Sequence, residues 1–401
     1  MSMSDNAPQD VGHVPPASVE TVPAGTANPL PPGLGTREQP VDCAIIGGGP
    51  AGLSAAVYLG RLRRSTIVID DRGGRSLWSQ VNRNYLGFPD GVEAAELRRL
   101  GREQASRYGT VFYNGRVDGL AEEGDLFRVS IRRSPPPRAG DPENIAEDAE
   151  QGEALGERQV EHPRDLYART VIFATGVVDE FPDFLGRDEC VGRTLFWCII
   201  CDGYEAIDKR VVVIGHDEEA VSTALQLRQF SNTITLVAGQ EGFDVPAWRL
   251  RDLTAAGIEF FPCAVREYPN EAGCISAVQL DDAADTVLPL DLVFVVCPKH
   301  PNSALARAFG ITLDENGYIC ADSEQKTNRP GVFAAGDVTR LHNHQISSAV
   351  HEGGMAAAAA NYYVYGALQK TKDELMGSDG QGKGESRPLT ESTARPNPST
   401  M

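Results

Sequence analysis

The chain has 401 residues, 41% of them hydrophobic, with 41 glycines and a formal net charge of -19. That length allows two or three domains with sizeable cores. The negative balance opposes a nucleic-acid partner, and no run approaches the roughly 18 apolar residues that cross a bilayer. The N-terminus shows neither a basic start nor an apolar stretch, so no secretory signal is read, and a cytoplasmic location is the expectation.

Residues 1–37, rich in Pro, Ala, Gly and Thr with no apolar period, are read as a disordered leader. From Val41 the pattern is strand, glycine turn, helix, in "VDCAIIGGGPAGLSAAVYLGRL". Gly47, Gly49 and Gly52 form a GxGxxG turn. The first allows the tight turn, the second lets backbone approach a pyrophosphate, and the third lets the helix pack close to the strand. "STIVIDD" is a second strand, ending on Asp70, where an acid can accept hydrogen bonds from a ribose. In this strand–turn–helix setting a dinucleotide site outweighs a purely structural glycine turn. An amphipathic helix, "GVEAAELRRLGREQASRYG", and alternating strands through "LFRVSI" follow. Residues 134–161 are proline-led and acidic, and are read as a solvated hairpin insertion, with a partner-binding element as the alternative.

"TVIFATG" resumes the sheet, and then comes "LFWCIICDGYE". Among eight cysteines only Cys198 and Cys201 are closely spaced, and no second pair completes a zinc site. A CxxC can bridge within one helical turn, and a cysteine at a helix N-terminus is more readily a thiolate, the species that attacks disulfides. Asp202 follows at once, a neighbouring carboxyl able to return a proton. The other six cysteines read as small buried apolar residues, and no metal site is expected. A second βαβ unit follows: "RVVVIG", "EEAVSTALQLRQF" and "TITLVAG", closed by "DLVFVVCP". "PGVFAAGDV" and the helix "SSAVHEGGMAAAAANYYVYGAL" return to the first unit, and the polar tail after Lys370 is read as disordered. The fold class expected is α/β, with two Rossmann-like, doubly wound nucleotide-binding domains, the second inserted in the first. The FAD-type domain spans 38–178 and 297–367, the CxxC-bearing insert 179–296, and the tail 368–401.

"GGGPAG", "NYLGFPDG", "CIICDG" and "PGVFAAGDV", in that order, resemble the low-molecular-weight thioredoxin reductase family of FAD-dependent disulfide oxidoreductases, across about residues 41–367. The resemblance implies FAD in the first glycine turn. It implies Gly336 and Asp337 at the ribityl chain, Asn84 near the flavin, and the backbone of Gln345 and Ile346 facing its pyrimidine. It also implies Cys201 as the flavin-facing sulfur, Cys198 as the interchange sulfur and Asp202 as the acid/base. It implies a homodimer, and a thioredoxin-like protein or small disulfide as substrate. One departure is "GGRSLWSQ", where the family has glutamine and threonines. Arg75 and Trp78 either border the flavin or are surface residues of a loop.

The insert departs further. NADPH users of the family carry GxGxxA or GxGxxG there, but the positions read Gly215, Asp217 and Ala220. Asp217 puts a side chain and a charge where backbone should meet pyrophosphate. A histidine–arginine–arginine cluster for the 2′-phosphate is replaced by Ala238, Gly239 and Gln240, with Glu241 nearby. NADPH use is therefore doubtful. Relatives without the nucleotide motif are of three kinds. Some take electrons from ferredoxin, some are dithiol oxidases using oxygen, and some are diflavin enzymes. Arg61, Arg63, Arg64, Arg98, Arg99, Arg102 and Arg107 are candidates for a ferredoxin patch or for ordinary solvated faces. Trp197, Tyr204, Tyr362, Tyr363 and Tyr365 either flank a second flavin or, the favoured reading, pack in the core. An NADPH-dependent reductase with a rearranged loop and a flavin redox sensor without turnover are the remaining alternatives.

Overall fold

A strand such as Val41–Ile46, apolar at nearly every position, must be covered on both faces, as in a parallel sheet packed between helices. The computed structural model describes residues 33–71, 73–133, 165–239, 243, 245–340 and 343–377 and shows that arrangement twice. In the first unit β1 (Val41–Ile46) passes through the glycine turn into α1 (Pro50–Arg61) and β2 (Thr66–Asp70). Then α2 (Ala94–Ser106) leads to β3 (Val111–Glu123), β4 (Leu126–Arg133) and β5 (Asp165–Phe173). β1 is parallel to β2 on one side and β5 on the other, and β2 to β3. The winding reverses between β1 and β5, which leaves a crevice at their carboxyl ends. β3 outlasts the parallel sheet and pairs antiparallel with β4, which pairs in turn with β5.

β6 (Val177–Asp179) carries the chain into the second unit. There β7 (Leu195–Phe196), the single turn α3 (Ile199–Asp202), β8 (Arg210–Ile214), α4 (Glu218–Leu227), β9 (Thr233–Val237), α5 (Ala247–Ala255) and β10 (Glu259–Phe261) follow. A small antiparallel sheet of β11 (Val265–Glu267), β12 (Ala277–Leu280) and β13 (Val287–Pro289) precedes β14 (Leu292–Val295). The parallel order is β10-β9-β8-β14-β7. β15 (Lys299–Pro301) returns alongside β6, antiparallel, with Lys299 opposite Asp179. The two crossings between the units thus lie side by side. β16 (Val332–Ala334) joins β5, and α6 (Ile346–Gly377) packs on α1. That contact requires small residues: a Cβ at Gly353 would lie 2.1 Å from the Ala51 carbonyl oxygen. Ala356, Ala357 and Ala360 beside it are buried.

The described residues reach into both margins that were expected to be disordered. Leu34 packs on the first core, the Tyr167 N–H donates to the Gly35 carbonyl at 2.8 Å, and Arg37 pairs with Glu123, so the end of the leader belongs to the sheet edge. At the other end α6 continues to Gly377. "TKDELMG" is polar but made largely of good helix formers, and extending an existing helix costs far less than starting one. The acidic insertion 134–161 and residues Gln240 and Glu241 lie outside the described residues. No helix among the described residues is long and apolar enough to cross a membrane.

Candidate active site

The crevice between β1 and β5 opens into a cavity of about 630 Å³ whose lining runs from the glycine turn to Cys201. Gly47 has φ +105°, and a Cβ there would lie 2.3 Å from the Ala174 carbonyl oxygen. A Cβ at Gly52 would lie 2.0 Å from the Gly47 oxygen and 3.3 Å from the Ile45 side chain. At Gly49, which also lines the cavity, a Cβ would meet nothing within 4 Å. The turn is thus closed toward the protein and bare toward the cavity, as a backbone cradle for phosphate must be. Gly52→Ala is expected to displace this turn, so that the purified variant carries much less flavin per chain than the parent by visible absorbance.

Asp70 sits at the cavity edge, where its Oδ1 accepts the Gly48 N–H at 3.0 Å and its Oδ2 pairs with Arg98. An ionised carboxylate has about four acceptor sites, so capacity is left for a ribose hydroxyl. Asp337 follows Gly336 at the end of β16. Burial pushes its carboxyl above the usual range, against the Arg75 guanidinium 3.3 Å away. Gly336 is held by Glu352 of α6, whose Oε2 accepts the Gly336 N–H at 2.7 Å and the Thr339 hydroxyl at 3.2 Å. Glu352 escaped the sequence reading, although an acid within an Ala/Gly-rich helix is itself a signal of a specific buried partner.

Arg75 and Trp78 are not surface residues. The Arg75 Nε lies 2.5 Å from Asp179 Oδ2, and its guanidinium lies 5.8 Å from the Trp197 ring centroid. Burial opposes the charge on Arg75, but Asp179 and Asp337 outweigh it and raise its pKa. Trp78 packs in the second core against Phe181. Trp197 is in core contact, as favoured, but the tyrosines are not: Tyr204, Tyr362, Tyr363 and Tyr365 are all exposed. The arginines of α2 are engaged with acids: Arg99 with Glu96 and Glu103, Arg107 with Glu103, and Arg98 with Asp70.

At the far end Cys198 and Cys201 form a disulfide with Cα atoms 5.3 Å apart. Cys198 caps α3, its Sγ accepting the Cys201 N–H at 3.2 Å. One helical turn has little macrodipole, so this single N–H is the local support for a Cys198 thiolate. Asp202 is 5% exposed. Burial pushes its carboxyl up to about 7, against Arg83 and with Glu205. The start of α6 enters the cavity from the first unit, placing Gln345 and Ile346 on its lining. The Gln345 side chain reaches the sulfurs themselves: its Nε2 is 3.3 Å from Cys201 Sγ and 3.5 Å from Cys198 Sγ. Asn84 Nδ2 donates to Gln345 Oε1 at 3.0 Å.

A glycine cradle, two carboxylates, a helix start and a disulfide therefore share one cavity contributed by both units. Its residues fit a flavin dinucleotide. The cradle admits phosphate at Gly49, and among the described residues the buried Asn82 Nδ2, Asp179 Oδ1 and Trp197 Nε1, all from lining residues, have no hydrogen-bond partner. Residues 41–356 match the family model described as pyridine nucleotide-disulphide oxidoreductase. The chain belongs to that family. It is 27% identical over 338 residues to a thioredoxin reductase of Listeria innocua, covering 82% of this chain and 96% of that protein. It is 28% identical over 341 residues to that of Helicobacter pylori, covering 81% and 99%. The crystal structure of HlmI superposes with a TM-score of 0.72 at 29% identity, over 86% of this chain and 98% of that one. The protein is a thioredoxin reductase-like, flavin-dependent disulfide oxidoreductase, and the family implies FAD.

The second strand–turn–helix junction carries Gly215, Asp217 and Ala220. A Cβ at Gly215 would lie 2.7 Å from that of Ala220, so these two small residues pack the turn as expected. Asp217 caps α4 through its Oδ1, which accepts the Ala220 N–H at 2.9 Å, and Glu218 and Glu219 occupy the first helical turn. Nearby cations face these acids: Lys299 Nζ is 3.3 Å from Glu219, and Arg249 Nε is 4.0 Å from Glu218.

Proposed function

We propose that the protein exchanges electrons between its Cys198–Cys201 pair and a dithiol or disulfide substrate, and that it does so without NADPH. In this reading FAD lies along Gly47, Gly49 and Gly52, Asp70, Asn84, Gly336, Asp337, Gln345 and Ile346. Residues 38–178 and 297–367 hold it, and the insert 179–296 carries the cysteines. Bound FAD would supply the two-electron exchange partner of the disulfide.

The chain's own residues support the rest. Reducing a substrate begins with Cys198 as thiolate attacking one substrate sulfur, breaking the substrate S–S bond and forming a mixed disulfide. Asp202, protonated below about pH 7, gives its proton to the leaving thiolate. The Cys201 thiolate then attacks Cys198 Sγ, expels the second substrate thiolate and restores the 198–201 bond. Dithiol oxidation runs the same steps in reverse, with Asp202 as base. A thioredoxin-like protein or a small disulfide fits this role. Ferredoxin draws no support from α2, whose arginines are paired. A homodimer is part of the reading, supported by exposed Tyr58 on α1, Leu62 just after it and Tyr362 on α6, and light scattering would measure it.

The observation that carries NADPH independence is the Asp217 carboxylate on the Ala220 amide. A cofactor phosphate would need that helix start, and two unit charges about 5 Å apart at an effective dielectric near 20 repel by roughly 3 kcal/mol. That is about a hundredfold in affinity. Ala238, Gly239 and Gln240, which follow β9 directly, supply no arginine for a 2′-phosphate. Under nitrogen, a small dithiol is expected to bleach the flavin while NADPH and NADH leave it oxidised for minutes. Asp217→Gly should tighten NADPH binding by about a hundredfold, still without fast reduction. Rapid bleaching of the parent by NADPH would overturn this reading.

A further inference from the structure

The family resemblance assigns Gln345 only a backbone role, yet its carboxamide is the one side-chain amide within reach of both sulfurs among the described residues. The amide oxygen has a partner of its own, and it lies farther from Cys201 Sγ, at 3.8 Å, than the nitrogen does. Asn84 Nδ2 donates to Gln345 Oε1 at 3.0 Å, and in this arrangement the oxygen faces Asn84 and the NH2 group faces the disulfide. The two residues come from distant parts of the chain and meet only at this cavity. Gln345 precedes a long helix anchored against α1, so its backbone is rigidly placed.

We propose that the Gln345 carboxamide, oriented by Asn84, is a catalytic hydrogen-bond donor to sulfur. It aims Cys201 into the cavity and stabilises the negative charge left there when the S–S bond opens. The inference rests on the disulfide exchange proposed above. In the step it assists, a small dithiol is the reductant. The dithiol loses two protons and two electrons and closes its own S–S bond. The Cys198–Cys201 bond breaks, one proton goes to Cys198 Sγ, and the other leaves through Asp202 to solvent. Cys201 keeps its electron pair as a thiolate facing the Gln345 NH2. A neutral donor does not compete with the carboxylates of this cavity for a proton, as a lysine or histidine would. The charged and titratable groups facing the pair are Asp202 and Glu205 on its own segment, Arg83, which lies 3.3 Å from Glu205, and His344 beside Gln345. Arg75, Asp179 and Asp337 line the cavity further along.

The test is the pH dependence of alkylation of the dithiol-reduced holoenzyme by iodoacetamide, with Cys198 and Cys201 resolved by peptide mass spectrometry. In Gln345→Leu the midpoint for Cys201 is expected to rise by about one pH unit, a tenfold smaller thiolate fraction. Asn84→Ala, which frees the carboxamide to turn over, should move it the same way by less. Gln345→Glu, which replaces the donor by an anion, should move it further. Flavin content and thermal midpoint, measured alongside, report the fold. If Gln345→Leu loses its flavin, Asn84→Ala decides, because it keeps the carboxamide and removes the donor to its oxygen. An unchanged Cys201 midpoint in a folded Gln345→Leu, or in Asn84→Ala when that variant decides, overturns the inference and leaves the disulfide exchange standing. A parent disulfide that no dithiol opens overturns both.

Discussion

Cys198→Ser is expected to abolish disulfide turnover, and Cys201→Ser to abolish it while trapping the substrate. A serine hydroxyl is not ionised at neutral pH and forms no bond to sulfur that a thiol could exchange, so neither variant can close the 198–201 bridge. The two differ in where they stop. Cys201→Ser keeps the sulfur that attacks substrate, and with no second thiolate to resolve it the mixed disulfide on Cys198 persists. Intact-protein mass spectrometry would then read the mass of the bound half-substrate, which separates a thioredoxin-like protein from a small disulfide at once. Cys198→Ser should form no such adduct. The reverse pattern, adducts on Cys201 only, would exchange the roles of the two sulfurs. Retained turnover in Cys198→Ser would remove the dithiol chemistry, whereas a parent that turns over no disulfide, and whose Cys198→Ser variant loses only a redox-dependent partner, would favour a flavoprotein that senses redox state. Both variants should stay folded and yellow, because the pair contributes neither to the glycine cradle nor to the two sheets.

Asp202→Asn carries the second largest expected effect, a loss of about 10²- to 10⁴-fold in turnover, the usual contribution of a positioned acid/base. Its carboxyl is buried, and that burial, more than the Glu205 charge, pushes it up to about 7. Substrate reduction, which needs the acid, should therefore decline as pH rises through about 7, and dithiol oxidation, which needs the base, should grow through the same range. Asp202→Asn should flatten both limbs. Stability follows the same group with a definite sign. Its folded pKa lies above the ordinary 3.8, so the folded state holds the proton more firmly than the unfolded chain between about pH 4 and pH 7. The contribution of that proton is complete below pH 4, shrinks as pH rises, and is gone above 7. The difference amounts to about 4 kcal/mol at 1.36 kcal/mol per unit. Relative to the parent, Asp202→Asn should thus gain stability from pH 4 to pH 8 in denaturant titrations, while losing activity. A parent whose activity is flat through this range would refute the assignment.

Much of the architecture is legible because each element carries its own periodicity. The paired βαβ units, the glycine turn at Gly47 and the CxxC follow from patterns confined to a few dozen residues. So does the altered turn at Asp217, where a cap residue replaces a glycine and the structure places its side chain on the Ala220 amide. Where the reading fell short, the deciding contacts join residues far apart in the chain. Arg75 looked equally suited to a surface loop. Its burial is decided by Asp179 and Asp337, more than a hundred and two hundred residues away, which no local pattern connects to it. The α2 arginines stayed open between a patch and ordinary solvated faces, because a list of positive residues does not show which of them have partners. The start of the tail looked disordered because polarity alone does not reveal that a helix already nucleated upstream will continue to Gly377.

What this sequence determined unaided was the kind of chemistry: a nucleotide cradle, a pair of cysteines with an adjacent acid, and a second strand–turn–helix junction that carries Asp217. Spacing along a chain suffices for these, since each is built within one turn or one strand–helix junction. Only the tertiary structure decided that the disulfide faces the same cavity as the glycine cradle. It also decided that Asp202 is buried enough to hold a proton near neutrality, and that a glutamine 144 residues beyond Cys201 lays its amide on the sulfurs. Desolvation and hydrogen bonding depend on which distant segments exclude water from a side chain, and that is a property of the folded packing.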